Sequence, residues 1–231
     1  ETNQDAVVCR PEHGFFAVVD GMGGLPGGGE AADMLEKILP AVVARLKETL
    51  PENYTPELAG EALSGAIGGV SDSLYERTSV DGRIGFGAAL CALLLVGRCA
   101  VVVHLGDCRG YWMGRDAASV TRLTTDHNVA AEMVAAGLLT YEAARESVYS
   151  CRLTKFAGMR APAEPEITYK RLSEGDRIML CSDGLYGELE EQDVAAAMQS
   201  GLSPQDFCEQ MIASAKERGG RDNISLIMIS L

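Results

Sequence analysis

Tight turns between apolar segments most constrain how this chain can fold. Residues 6–9 and 15–20 are predicted strands, and the turn-forming sequence Pro-Glu-His-Gly separates them. Farther along, the predicted strands at 86–96 and 100–105 are separated by Gly97-Arg98, which suits a two-residue hairpin turn. Because such short connections join antiparallel neighbours, the sequence predicts antiparallel β-sheets.

Helices are predicted on both sides of the main group of strands. They are indicated by apolar residues at helical spacing. The predicted helices include residues 30–50, 56–76, 190–198 and 203–218. Helices outside antiparallel sheets predict an α+β layered fold. Since the sequence shows no repeat and no linker, we expect one domain spanning residues 1–231.

Four aspartates stand at the ends of apolar runs, each beside a glycine or an asparagine. They are Asp20, Asp107, Asp183 and Asp222. A buried strand delivers its last residue to a sheet edge, so these carboxylates can converge there. Carboxylate oxygens are the ligands that Mg²⁺ and Mn²⁺ prefer. The alternative role of each aspartate alone is that of a turn or cap residue.

Composition excludes several functional classes. The formal charge is −13 and the sequence has no basic stripe, which argues against nucleic-acid binding. The longest apolar run, at 88–96, is too short for a membrane span. The seven cysteines form no CxxC pair, which is typical of a reducing compartment, so we predict a cytoplasmic protein. No P-loop, GxGxxG, HExxH or Ser-His-Asp pattern supports another enzyme class.

Six short motifs in chain order resemble one known family. They are Asn3-Gln4-Asp5, Val19-Asp20-Gly21-Met22-Gly23-Gly24, Gly106-Asp107-Cys108-Arg109, Thr125-Asp126-His127, Cys181-Ser182-Asp183-Gly184-Leu185 and Gly220-Arg221-Asp222-Asn223-Ile224. This set resembles the PP2C-type (PPM) metal-dependent serine/threonine protein phosphatases, and most of all their bacterial branch. The resemblance covers nearly the whole chain.

The resemblance implies a four-layer αββα sandwich, in which two antiparallel sheets are flanked by helix pairs, with two Mn²⁺ or Mg²⁺ ions at one end. Asp20, the catalytic residue, would bridge the two ions. The Gly21 carbonyl would bind one ion, and Asp183 and Asp222 would bind the other. Asp5 would hold metal-bound water.

A third, weaker ion is also implied. By the resemblance, Asp126 and Asp183 would bind it, whereas Asp107 and Arg109 would hold a turn between strands. Residues 128–165 would form a flap beside the active site that influences substrate choice.

The implied reaction is hydrolysis of phosphoserine or phosphothreonine in proteins by metal-activated water, without a phospho-enzyme intermediate. The partners would be phosphorylated proteins, with a Ser/Thr kinase as counterpart. Two departures from the family pattern are Gln4, where many members have Glu, and Met22, where eukaryotic members have a histidine. The family's phosphate-binding arginine would precede Glu1, so the resemblance assigns no substrate-binding residue here.

Two alternatives stay open at the level of sequence. The departure at Gln4 is compatible with a catalytically silent PP2C-like module that binds a partner protein, although the aspartate set argues against it. A metal-dependent phosphodiesterase or nuclease is disfavoured by the acidic composition.

Overall fold

Two antiparallel sheets form the centre of the molecule. The computed structural model describes residues 3–22, 27–79, 85–160 and 162–231. The strands and helices follow one another along the chain in the order β1, β2, α1, α2, β3, β4, β5, β6, α3, α4, β7, β8, α5, α6, α7, β9. The motif residues Gly23 and Gly24 lie outside the described residues.

The first sheet has five strands in the order β1-β2-β3-β4-β7. Its strands are β1 (Asp5–Arg10), β2 (Phe15–Met22), β3 (Gly87–Val96), β4 (Cys99–Leu105) and β7 (Glu166–Arg171). Every pairing between neighbours is antiparallel, and both predicted hairpins are present.

The second sheet has four strands in the order β6-β5-β8-β9, again antiparallel throughout. Its strands are β5 (Arg109–Met113), β6 (Thr121–Arg122), β8 (Arg177–Cys181) and β9 (Leu226–Ser230). The helices are α1 (Gly27–Thr49), α2 (Pro56–Thr78), α3 (Val129–Ala135), α4 (Tyr141–Arg145), α5 (Asp183–Tyr186), α6 (Glu191–Gln199) and α7 (Pro204–Glu217).

Three apolar layers hold these elements together. In β2, Phe15, Ala17 and Val19 pack on the side of α1 and α2, and the alternate residues Phe16 and Val18 face the second sheet. A third layer lies between the second sheet and α6 and α7. Because the central strands are buried on both faces, they appear in the sequence as continuous apolar runs. The αββα prediction is confirmed.

The segment predicted to form a flap has, in its described residues 128–160 and 162–165, little regular structure beyond two short helices. Between Val129 and Ser150, α3 and α4 contribute the two fully buried residues of this described stretch, Ala130 and Ala144. The base of the flap is tied to the sandwich: Val129 N donates to the Arg152 carbonyl (3.0 Å), and residues 88 and 157 exchange backbone hydrogen bonds. The flap is therefore fixed at its base and exposed farther out.

None of the described helices is both long and apolar enough to cross a bilayer.

Candidate active site

The hairpin register of β1 and β2 brings two carboxylates together. Asp5 lies directly opposite Asp20 in the antiparallel pair. Side chains at such positions are neighbours, and like charges there destabilise a sheet. The Ser182 hydroxyl donates a 2.8 Å hydrogen bond to Asp5 Oδ2 and so fixes the orientation of this carboxyl group. The pair needs either a proton or a cation between its members.

Asp183 comes from the second sheet, as the first residue of α5 after β8. The next residue, Gly184, has no room for a side chain, because a Cβ there would lie 2.0 Å from the Asn223 carbonyl oxygen. That close approach places Asp222 beside Asp183. One Asp183 oxygen, Oδ1, is buried without a hydrogen-bond partner. A buried carboxylate oxygen without a hydrogen-bond partner is a suitable ligand for a cation.

Backbone contacts fix the loop that carries Gly21. A Cβ on Gly21 would lie 2.1 Å from the Gly28 carbonyl oxygen, so the start of α1 packs directly on this strand end. The Gly21 amide donates to the Gln4 carbonyl (3.0 Å), and the Gln4 amide donates to Asn223 Oδ1 (2.8 Å). The Asn223 side chain thus ties the loop of Asp222 to the start of β1.

Burial and mutual repulsion raise the pKa values of these carboxyl groups. Burial raises the pKa of Asp20 to about 10, and the charges of Asp183, Asp5 and Asp107 add to the effect. Burial is also the main cause of the raised pKa of Asp5 and of Asp183, and repulsion by Asp222 contributes to both. Positive charge in the cluster would restore the ionised forms.

The donor set fits divalent metal ions. It consists of hard oxygen atoms, one of them orphaned, on carboxyl groups that repel one another. In the described part of the chain, no three of these aspartates have ligand oxygens within 4.8 Å of one another.

Asp107 belongs to this cluster, although the sequence assigned it to a structural turn. It is 8% exposed, and its pKa is raised to about 8 by burial first and then by the charges of Asp183 and Asp126. Its charge also contributes to the raised pKa of Asp20. The charge of Asp107 therefore acts on the other carboxyl groups, and a cation bound among them would lower its pKa.

Asp126 is engaged elsewhere. Both its oxygens accept hydrogen bonds from Arg109, with Nε to Oδ1 at 2.9 Å and Nη2 to Oδ2 at 2.6 Å. The two side chains are only 6% and 9% exposed. A bidentate pair of this kind occupies the carboxylate that the family resemblance assigned to a third metal. Asp126 is thus paired with Arg109, and its role at a third metal stays a prediction.

Arg109 also connects the cluster to α5. Its guanidinium carbon lies 3.5 Å from the centre of the Tyr186 ring, and Nη1 donates to the Tyr111 hydroxyl (3.1 Å). The Tyr186 hydroxyl in turn donates to the Asp107 carbonyl oxygen (2.9 Å). The helix that begins at Asp183 is therefore fixed at its other end against the turn of Asp107.

Two stacked histidines lie behind this turn. The rings of His104 and His127 are 4.6 Å apart and nearly parallel, and their nitrogens come within 4.8 Å of a Glu166 oxygen. The Gly106 amide donates to His127 Nδ1 (3.1 Å), which leaves the proton on Nε2, facing Glu166 at 3.4 Å. This tautomer and the parallel rings do not suit a shared metal ion. His127 instead holds the Gly106 amide, and His104 Nε2 donates to the Thr125 carbonyl oxygen (2.8 Å).

The sequence did not identify the roles of Ser182 and Asn223. Both stand next to predicted ligand aspartates, Asp183 and Asp222, in the motifs Cys-Ser-Asp-Gly and Asp-Asn. Short polar residues beside a ligand are a usable signal, because they commonly orient the ligand through hydrogen bonds.

The chain is similar to known protein phosphatases over almost its whole length. The family model described as "Protein phosphatase 2C" matches residues 1–225. A serine/threonine phosphatase stp from Listeria innocua is 27% identical over 231 residues, covering 99% of this chain and 89% of that protein.

Solved structures share the fold over almost the whole length. The S. agalactiae serine/threonine phosphatase superposes with a TM-score of 0.87 at 28% identity, covering 100% of this chain and 94% of that one. The catalytic domain of the serine threonine protein phosphatase PstP, solved in complex with 2 manganese ions, has a TM-score of 0.76 at 25% identity, with 98% and 90% covered.

These matches agree with the order of the sequence motifs and with the geometry of the aspartate cluster. They confirm the enzyme class that the motifs predicted, a metal-dependent phosphoprotein phosphatase. With a family model matching almost its entire length, the chain belongs to the protein phosphatase 2C family.

Proposed function

We propose that this chain hydrolyses phosphoserine and phosphothreonine in proteins at a centre of two Mn²⁺ or Mg²⁺ ions. The observation that carries the proposal is the cluster of buried, mutually repelling aspartates at the ends of both sheets. Two ions bound there would lower the pKa of a shared water and present it for in-line attack on phosphorus.

Each ligand has a distinct task in this proposal. Asp20, the register partner of Asp5, would bridge the two ions, as the family resemblance implies. The Gly21 carbonyl would supply an oxygen to one ion, and Asp183 and Asp222 would hold the other. Asp5, oriented by Ser182, would hold metal-bound water.

For a third, weaker ion we propose Asp107 together with Asp183. The resemblance assigned this role to Asp126, but an ion at Asp126 would compete with its bidentate contact to the buried Arg109 guanidinium. The pKa of Asp107 is raised by burial and by the charge of Asp183, and a cation shared by the two would offset that repulsion.

Protonation of the leaving alkoxide falls to water in this site. Met22, at the end of β2, carries no proton to give, and it stands where eukaryotic members of the family have a histidine. The carboxylates hold and orient the attacking water. Its proton passes to solvent or to a neighbouring carboxylate.

The same proposal extends to the substrates, the extent of the domain and the location of the protein. Substrates would be phosphoproteins produced by a Ser/Thr kinase, and residues 1–231 would act as one phosphatase domain with a flap at about 128–165. A cytoplasmic location is supported by the seven cysteines, all of which are free thiols.

The test compares Asp20→Asn with Asp116→Asn, an exposed aspartate outside the cluster. We expect Asp20→Asn to lower Mn²⁺-dependent turnover of p-nitrophenyl phosphate and of a phosphoserine peptide on the order of 100-fold or more. Calorimetric titration with Mn²⁺ should show weaker binding in that variant, and Asp116→Asn should match the parent. Full activity of Asp20→Asn would disprove the proposal, and Mn²⁺ binding without turnover by the parent would indicate a silent module.

A further inference from the structure

The outer flap, which comprises residues 129–150, is attached to the sandwich through α4. Its helices α3 and α4 pack chiefly on each other, and the stretch between them is exposed, with Leu138 69% accessible. Segments with so few buried apolar contacts open at low free-energy cost. The position of the outer flap therefore depends on a small number of polar contacts.

Arg145, the last residue of α4, makes two of these contacts. Its Nη1 forms an ion pair with Glu190, the residue that precedes α6. Its Nη2 donates a 3.1 Å hydrogen bond to the Tyr186 carbonyl oxygen. The side chain of Arg145 is 22% exposed but that of Glu190 is 62% exposed, so solvent screens the ion pair and the hydrogen bond to the Tyr186 carbonyl is the more shielded of the two contacts.

The acceptor of that hydrogen bond is part of the active-site framework. Tyr186 ends α5, and Asp183 begins it, so the two residues are separated by about one helical turn. The Tyr186 hydroxyl also contacts the turn of Asp107. Arg145 thus joins the flap to the short helix that carries a proposed metal ligand.

A second contact supports α4 at its first residue, one helical turn before Arg145. The Arg122 guanidinium lies over the Tyr141 ring, 5.6 Å from its centre. Since this contact survives loss of the Arg145 side chain, removing Arg145 should loosen the flap without releasing it.

We propose that Arg145 is a positioning residue that holds the outer flap beside the aspartate cluster and thereby determines the affinity for phosphoprotein substrates. The inference rests on the proposed phosphatase function. A protein segment around a phosphoserine extends far enough to contact the flap, where Leu138 and Val148 are exposed. A small aryl phosphate occupies only the cluster and senses the flap less.

The test combines hydrogen exchange with kinetics for Arg145→Ala, Arg145→Lys and the control Arg218→Ala. Arg218 forms a bidentate ion pair with Asp193 of α6, at 2.6 and 2.8 Å, and contacts no part of the flap. For Arg145→Ala we expect amide protection in residues 129–150 to fall about tenfold, the combined effect of one ion pair and one hydrogen bond. Arg145→Lys, which keeps the charge, should retain part of the protection.

Kinetics then separate positioning from general damage. In Arg145→Ala, KM for a phosphorylated protein should rise several-fold, on the order of the loss of protection, and kcat/KM for p-nitrophenyl phosphate should fall by a smaller factor. Unchanged protection in the flap, or equal losses with both substrates, would overturn the inference. Hydrogen exchange needs no turnover, so an inactive parent protein would refute the proposed function without deciding the role of Arg145.

Discussion

The aspartate cluster and the flap lie side by side but are built in opposite ways. The cluster is carried by strand ends and a short helix whose residues are buried on both faces, and Ser182, Asn223 and Tyr186 fix its loops. The flap buries two alanines between residues 129 and 150 and depends on arginine contacts. A rigidly held cluster of aspartates is thus combined with a neighbouring segment that is only loosely held.

The largest effect on stability is expected from breaking the buried ion pair between Arg109 and Asp126. Asp126→Asn leaves the Arg109 guanidinium without its carboxylate, and we expect a loss of about 3–5 kcal/mol in the free energy of unfolding. Urea denaturation of the metal-free protein measures it.

Asp107→Asn is the matched variant, since it removes a buried carboxyl group that has no such partner and instead repels its neighbours. We expect it to retain the parent's stability while Mn²⁺ titration shows loss of the weakest site. If Asp126→Asn were stable and lost that site instead, Asp126 would be the ligand that the family resemblance implies.

A backbone contact provides the next comparison. Gly184→Ala puts a methyl group 2.0 Å from the Asn223 carbonyl oxygen, which must push Asp222 away from Asp183. We expect a destabilisation of about 1–3 kcal/mol together with weaker Mn²⁺ binding.

Gly69→Ala in α2 is the control, because a Cβ there meets no atom within 4 Å. It should leave metal binding unchanged and stabilise the helix by about 0.5–1 kcal/mol. Equal behaviour of the two variants in thermal unfolding and calorimetry would show that the cluster tolerates displacement as the flap does.

The smallest expected effect is a dependence of stability on pH that metal removes. The pKa of Asp20 is about 10 in the folded protein, above its value of about 3.9 in the unfolded chain. The stabilisation from the bound proton is complete below pH ~4 and is lost as the pH rises through about 10. In EDTA we expect a loss of about 1.4 kcal/mol between pH 6.5 and pH 7.5, measured by denaturation.

Saturating Mn²⁺ should flatten or reverse this slope, since ligands must lose their protons to bind. A metal-free protein whose stability rises over the same range would show that the carboxyl groups are ionised without a cation.

Much of the fold and most of the cluster could be predicted from the sequence. Continuous apolar runs and tight turns identify doubly buried antiparallel strands, and Asp-Gly steps after such runs identify Asp20 and Asp183. The four-residue helix α5 was missed because one turn of helix carries no periodic signal. Instead of a simple Asp-Gly turn, the chain continues to Tyr186.

The choice between Asp107 and Asp126 could not be made from sequence. It depends on where the Arg109 side chain points, and that is fixed by Tyr111 and Tyr186, the second of them far away in the chain. Local motifs carry no information about such long-range pairing. The same holds for Arg145, whose partners lie more than forty residues downstream.

The pairing of Asp5 with Asp20 has a consequence for folding fidelity. In a hairpin, a slip of one residue turns every side chain to the other face of the sheet. A slipped β1–β2 pair would therefore separate the two carboxylates and also move Phe15 and Val19 out of their apolar layer. Divalent ions would bind the correctly aligned chain in preference to its misaligned forms, so metal binding would stabilise the correct strand register.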